Sequence, residues 1–145
     1  MRVVKTGGDK LNAFLKGIKK PLPFKDIEVG FFSEAKYQDG KPVAAIAFFN
    51  EFGTKNIPER PFFRNANEAV KKPAVDLVKK RFNPALNQLI TIETAGLVGV
   101  LHTNTVQKSI TDLRTPANAP STIKHKGSDN PLIDTGEMRR SVTYK

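Results

Sequence analysis

The sequence predicts an α+β fold: a small antiparallel or mixed β-sheet packed against long α-helices in a single domain. Three observations predict it. Apolar residues recur at intervals of three and four from Phe62 to Val78, the period of a helix with one buried face. Two short runs rich in β-branched and aromatic residues, Ile27 to Ser33 and Ser141 to Tyr144, read as strands. The length, 145 residues, suits one domain and leaves no room for an ordinary second one.

Asp9 to Lys20 places Leu11, Phe14, Leu15 and Ile18 on one helical face, with Asp9 as N-cap and Pro21 and Pro23 as the stop. After the first strand, Asp39-Gly40 supplies a turn. Val43 to Phe52 suits either a buried strand or a short helix; Ala44, Ala45 and Ala47 favour the helix, with Gly53 as its left-handed C-cap. Ile57-Pro58 and Arg60-Pro61 hold the residue before each proline extended, so this segment is a rigid connector into Phe62.

The helix that follows carries Phe62, Ala66, Ala69, Val70, Ala74, Leu77 and Val78, and Pro73 is expected to kink it or split it in two. Asn83-Pro84 has the cap-then-proline order of a helix start. From Ala85 to Asp112 the apolar residues do not fall on one stripe, as in a helix buried in a core or between subunits. Gly96 and Gly99 weaken that helix unless they let another helix approach closely, and a strand pair stays open there. Leu113 to Asn130, with Pro116, Pro120 and Pro131 at its edge, reads as a long flexible loop over 113–131. Asp134 is then expected to cap a short helix over 135–140, Glu137 at N3 completing a capping box. The small sheet takes its strands from 27–33 and 141–144, with the chain near Ile57 as a candidate addition.

Charge and composition narrow the function. Lys plus Arg number 24 against 14 Asp plus Glu, a formal net charge of +10, so the chain is drawn to polyanions at low salt. The absence of cysteine excludes a disulfide framework, a thiol nucleophile and thiolate metal sites, and leaves the redox compartment undetermined. The opening MRVVKTGGDK has no apolar run of signal-peptide type, and Ala95 to Leu101 falls far short of the roughly 20 residues of a membrane span, so a soluble protein is expected.

Phosphate-loop, dinucleotide, nucleophile-elbow and zinc-protease motifs are all missing. His102 and His125 have no metal-ligand spacing; the first is expected in a hydrogen-bonded core or interface and the second on a solvated loop. Glu51 sits in an apolar run, where burial would raise its pKa toward general acid or base duty; the simpler role is an ion pair with Arg60 or Arg64 across the Gly53 turn. Basic residues cluster at Lys19-Lys20, Lys71-Lys72, Lys79 to Arg81, Lys124 to Lys126 and Arg139-Arg140. They read as solvated faces, or as electrostatic contacts for nucleic acid or an acidic protein. No catalytic, metal-binding or cofactor-binding residue is assigned.

Two blocks carry a resemblance: VAAIAFFNEFGTKNIPERPFFRNA, Val43 to Ala66, and PANAPSTIKHKGSDNPLIDTGEMRRSVTYK, Pro116 to Lys145. Together they resemble tailed-phage and prophage neck proteins of the tail-completion, head-tail joining kind, related to the minor tail protein Z group. The first motif falls on Asn50, Glu51, Phe52, Gly53, Thr54, Ile57, Pro58, Arg60, Pro61 and Phe62. The second falls on Pro131, Leu132, Ile133, Asp134, Thr135, Gly136, Met138 and Arg139. The resemblance implies a non-enzymatic, ring-forming virion subunit that joins tail to head. Its implied partners are copies of itself, other neck, connector or tail proteins and, non-specifically, phage DNA, with no membrane and no cofactor. Its implied location is the virion neck or tail, and the host cytoplasm during assembly. The alternative is a small basic nucleic-acid-binding protein acting through phosphate contacts.

Overall fold

Strand β1 (Val29–Phe31) pairs antiparallel with β2 (Val142–Tyr144), with Phe31 opposite Val142 and Val29 opposite Tyr144. Glu28 and Lys145 extend the ladder by exchanging backbone bonds of 3.1 and 2.9 Å. This computed structural model describes residues 26–81 and 92–145. The expected helix at Asp9 to Lys20 and the start at Asn83-Pro84 lie outside the described residues. The strands fall inside the two predicted runs, and the small sheet with its helices gives the α+β fold the sequence predicts.

The chain near Ile57 does not join the sheet. Ile57 donates its N–H to Thr54 Oγ1 at 3.1 Å, and its carbonyl accepts the Thr54 N–H at 2.8 Å. A local turn consumes the groups that a strand would offer.

Helix α1 (Val43–Phe52) buries Val43, Ala47 and Glu51, one every turn, and turns Phe48, Phe49 and Phe52 outward. Gly53 has the expected positive φ of 72°, but its ψ of 171° is extended rather than left-handed helical. A Cβ at Gly53 would also sit 2.9 Å from the Glu59 nitrogen, so chain reversal here needs glycine on two counts.

Helix α2 (Phe62–Arg81) runs unbroken through Pro73, so of the expected kink or split the split does not occur. The carbonyl that Pro73 deprives of a donor belongs to Ala69, and both residues are exposed, so the lost bond falls on the solvent side of the helix. Helix α3 (Ile92–Asp112) settles its stretch as helix rather than a strand pair. It lies antiparallel to α2: Ser109 Oγ donates to the Phe62 carbonyl at 2.7 Å, His102 bonds Asn67, and Arg81 pairs with Glu93. Phe62, Ala66, Val106 and Ile110 form the core between them, closed by Val43, Leu132, Met138 and Val142.

Gly96 and Gly99 do not admit a helix. They admit the Tyr144 ring from β2, which no helical periodicity could foretell. The expected flexible loop over 113–131 also holds structure: helix α4 (Pro120–Lys126) starts with Pro120 in its first turn. Gly127 ends it in the left-handed conformation, φ 68°, donating to the Ile123 carbonyl. His125 therefore sits exposed on a short helix and not on a loop.

The capping box is absent too. Helix α5 (Glu137–Arg140) starts later than expected, so Glu137 is its first residue instead of N3, and Gly136 at φ 78° occupies the cap position. Among the described residues, no helix is long and apolar enough to cross a membrane.

Candidate functional site

Arg60 joins the two motif blocks. It is 3% exposed, and its backbone N–H donates to the Asn50 carbonyl at 2.7 Å. The guanidinium donates from Nε to the Pro116 carbonyl at 2.9 Å and from Nη1 to Asn50 Oδ1 at 3.1 Å. Its Nη2 donates to the Ala117 carbonyl at 3.3 Å and to Asn118 Oδ1 at 3.0 Å. These four bonds leave one of the five donors of an arginine unassigned, and none goes to a carboxylate. Burial lowers the Arg60 pKa from its ordinary value, and the positive charge is held by oxygen dipoles from both blocks. The fork fits because Pro61 and the extended connector hold the backbone still.

Glu51, also from the first block, is 5% exposed and follows Asn50, which accepts the Arg60 bonds. Its Oε2 accepts the Phe63 N–H at 2.8 Å and its Oε1 accepts the Arg64 N–H at 3.1 Å. Those are the second and third residues of α2, whose preceding residue, Pro61, has no side-chain acceptor. Glu51 therefore caps α2 from a different helix, placing a carboxylate at the positive end of the helix dipole. Arg64 Nε completes the arrangement with a 2.8 Å ion pair to Oε1. Of the two expected partners, the pairing falls on Arg64 and not Arg60. Bonds to Glu51 and Glu59 raise the Arg64 pKa. Three of the carboxylate's lone-pair positions are taken up by this role.

The cap sets the position of an aromatic ridge. Arg64 stacks over Phe52 with 5.2 Å from Cζ to the ring centroid. The Phe52 and Phe48 centroids are 4.7 Å apart, and Phe49 stands edge-on to Phe48 at 6.3 Å. Phe48, Phe49 and Phe52 are 58, 41 and 53% exposed. With about 200 Å² per phenyl, the ridge shows on the order of 300 Å² of apolar surface. A patch of that size matches the largest on an ordinary monomer and is commonly a contact site.

Compared with protein-family models, curated proteins and solved structures, the chain matches none.

The second block meets the first at a cleft of about 290 Å³, where Asn50 faces Leu132, Asp134, Thr135 and Gly136. Tyr37 and Lys126 also line it. Burial, then the charges of Glu137, Asp134 and Asp39, raise the Tyr37 pKa. Burial chiefly lowers that of Lys126, with Arg60 adding to the effect and Asp134 opposing it. Leu132 enters the core, while Asp134, Thr135 and Arg139 stay exposed. Phe62 lies at the core centre, edge-on to Phe31 at 6.2 Å. Thr54, Pro58 and Gly53 form the connector turn and do not reach the cleft.

Asn130 went unselected in the sequence, although it anchors the second block. It is 7% exposed; Oδ1 accepts the Leu132 and Ile133 N–H groups at 3.0 and 3.1 Å, and Nδ2 donates to the Thr111 carbonyl at 2.9 Å. The Asn130-Pro131 dipeptide was the available signal, since asparagine before proline starts turns. His102 bonds Asn67 Oδ1 at 2.7 Å, and burial lowers its pKa. Of the basic clusters, Lys71, Arg81 and Arg140 are paired with Glu68, Glu93 and Glu137, and Lys126 donates to the Asn130 carbonyl. Lys19-Lys20 lies outside the described residues.

Proposed function

We propose that the protein is a ring-forming structural subunit of a tailed-phage or prophage neck, of the tail-completion type. The observation that carries this reading is the division of labour within the first motif block. Its polar residues, Asn50, Glu51 and Arg60, are consumed in holding the fold, whereas the phenyl rings beside them project outward. A site built for chemistry would aim polar groups at a cleft; a site built for assembly presents rigid apolar anchors on a fixed frame. The resemblance of both blocks to neck proteins supplies the particular assembly. Its subunits join head to tail, and such contacts close into a ring when the rotation permits.

Light scattering across protein concentration, at low and moderate salt, tests the reading. A closed oligomer is expected, lost in Phe48→Ser and Phe49→Ser variants that keep wild-type circular dichroism. The same series with a short DNA duplex tests phosphate binding. A monomer that binds duplex at moderate salt, with affinity falling by about 10³ to 10⁵ between 50 and 200 mM for 6–10 phosphate contacts, would replace the assembly reading.

A further inference from the structure

Among the described residues no strand pairs with the outer edge of β1, and the hydrogen-bond phase there says what fits it. Glu28 and Lys145 exchange both backbone bonds. Bonded and non-bonded pairs alternate along an antiparallel ladder, so Gly30 also turns its backbone groups toward β2 while Val29 and Phe31 turn theirs away. Among the described residues nothing bonds to Val29 or Phe31 on that side. A groove of about 360 Å³ runs along the edge, lined by Gly30, Phe31, Phe48, Phe52 and Phe63. The position of a Cβ on Gly30 has nothing within 4 Å.

We infer that this edge takes the same edge of a second copy, β1 against β1 across a two-fold axis at Gly30. This rests on the self-assembly part of the proposed function and adds a contact that ring closure does not require. Under that symmetry Val29 of each copy faces Phe31 of the other. The four outward groups, two N–H and two C=O per copy, then pair in full. Gly30 meets Gly30 as a non-bonded pair, the closest approach in an antiparallel sheet at about 4.5 Å between Cα atoms. The two-stranded sheet becomes four-stranded, which is the ordinary remedy for an exposed edge.

The apolar groove lies beneath the new strands, so Phe48 and Phe52 of each copy adjoin the shared core, and Phe49 stays outside the groove. An interface of standard size buries about 800 Å² per partner, and Phe48 and Phe52 offer over a quarter of it. The contact is isologous: it pairs copies back to back, in addition to the head-to-tail contacts of a ring.

The chain has no cysteine, so a single introduced thiol reports the axis. Gly30→Cys is expected to oxidise to a disulfide-linked dimer, because Cα separations of about 4.4–6.8 Å permit the bond. Lys72→Cys, exposed on α2, serves as the control and stays monomeric on a non-reducing gel. Val29→Pro removes an N–H that β2 does not use, and is expected to weaken association tenfold or more with the fold retained. Cross-linking at 30 no greater than at 72, or an association unaffected by Val29→Pro, overturns the inference. If light scattering still shows a closed oligomer in that case, the ring reading stands; a monomer under all conditions overturns both.

Discussion

The Tyr144 ring lies so close to Gly99 that a Cβ on the glycine would stand 2.7 Å from the ring's Cγ. The C-terminal strand is thereby seated on α3, the longest helix described, at one of the two positions where the helix has no side chain. Gly99→Ala is expected to destabilise the protein by about 1–3 kcal/mol through overpacking. In a Tyr144→Ala background the sign should reverse, since alanine is the better helix former by about 1 kcal/mol. Urea denaturation of the four proteins measures the coupling.

Glu51→Ala should remove the cap of α2 and leave two N–H groups near its start without an acceptor, a cost of about 2 kcal/mol or more. Glu51→Gln keeps the shape and loses the charge, so it should cost less. Thermal unfolding ranks them, and equal stability of all three proteins would refute the capping role.

Arg60→Lys should release the segment at Pro116 to Asn118, because an ammonium cannot span acceptors that the guanidinium fork reaches together. Wild-type protein is expected to resist trypsin at Arg114, and the variant to be cut there first. Truncation to alanine strands buried acceptors and should cost about 3–5 kcal/mol.

At the start of α5, Thr135 Oγ1 accepts the Glu137 N–H at 3.3 Å, whereas Asp134 makes no cap bond. Thr135→Ala is therefore expected to lower stability by about 0.5–1 kcal/mol and Asp134→Ala to stay within about 0.5 kcal/mol of wild type. Denaturation midpoints distinguish them.

His102 supplies a pH dependence. Burial lowers its folded pKa below the ordinary value of 6.5, so the unfolded chain binds the proton more readily. Stability from this group is full above pH 6.5 and is lost as pH falls below it. Melting temperature should drop on going from pH 7.5 to 5.5, and His102→Gln should flatten that drop.

Much of the architecture was legible locally. The two strand runs, the α1 helix, the Asp39-Gly40 turn and the stiff connector before Phe62 follow from the properties of residues within a few positions of one another. The misses share one cause. Asp134 with Glu137 has the letters of a capping box, yet Gly136 takes the positive φ and moves the helix start. The prolines over 113–131 suggested an open loop, yet Pro120 and Gly127 bracket a helical turn whose approach is bound by Arg60.

The sequence by itself determined the two strand runs, the α1 helix and the long helix from Phe62, that glycine is needed at position 53 and that the polar and aromatic motif residues sit side by side. Only the tertiary structure decided that Glu51 caps another helix, that Arg60 clasps carbonyls 56 and 57 positions away, and that Gly99 receives Tyr144. Periodicity is a property of neighbours along the chain. The partner of a buried polar group or a missing side chain is chosen by which distant segment can satisfy it once the core has closed.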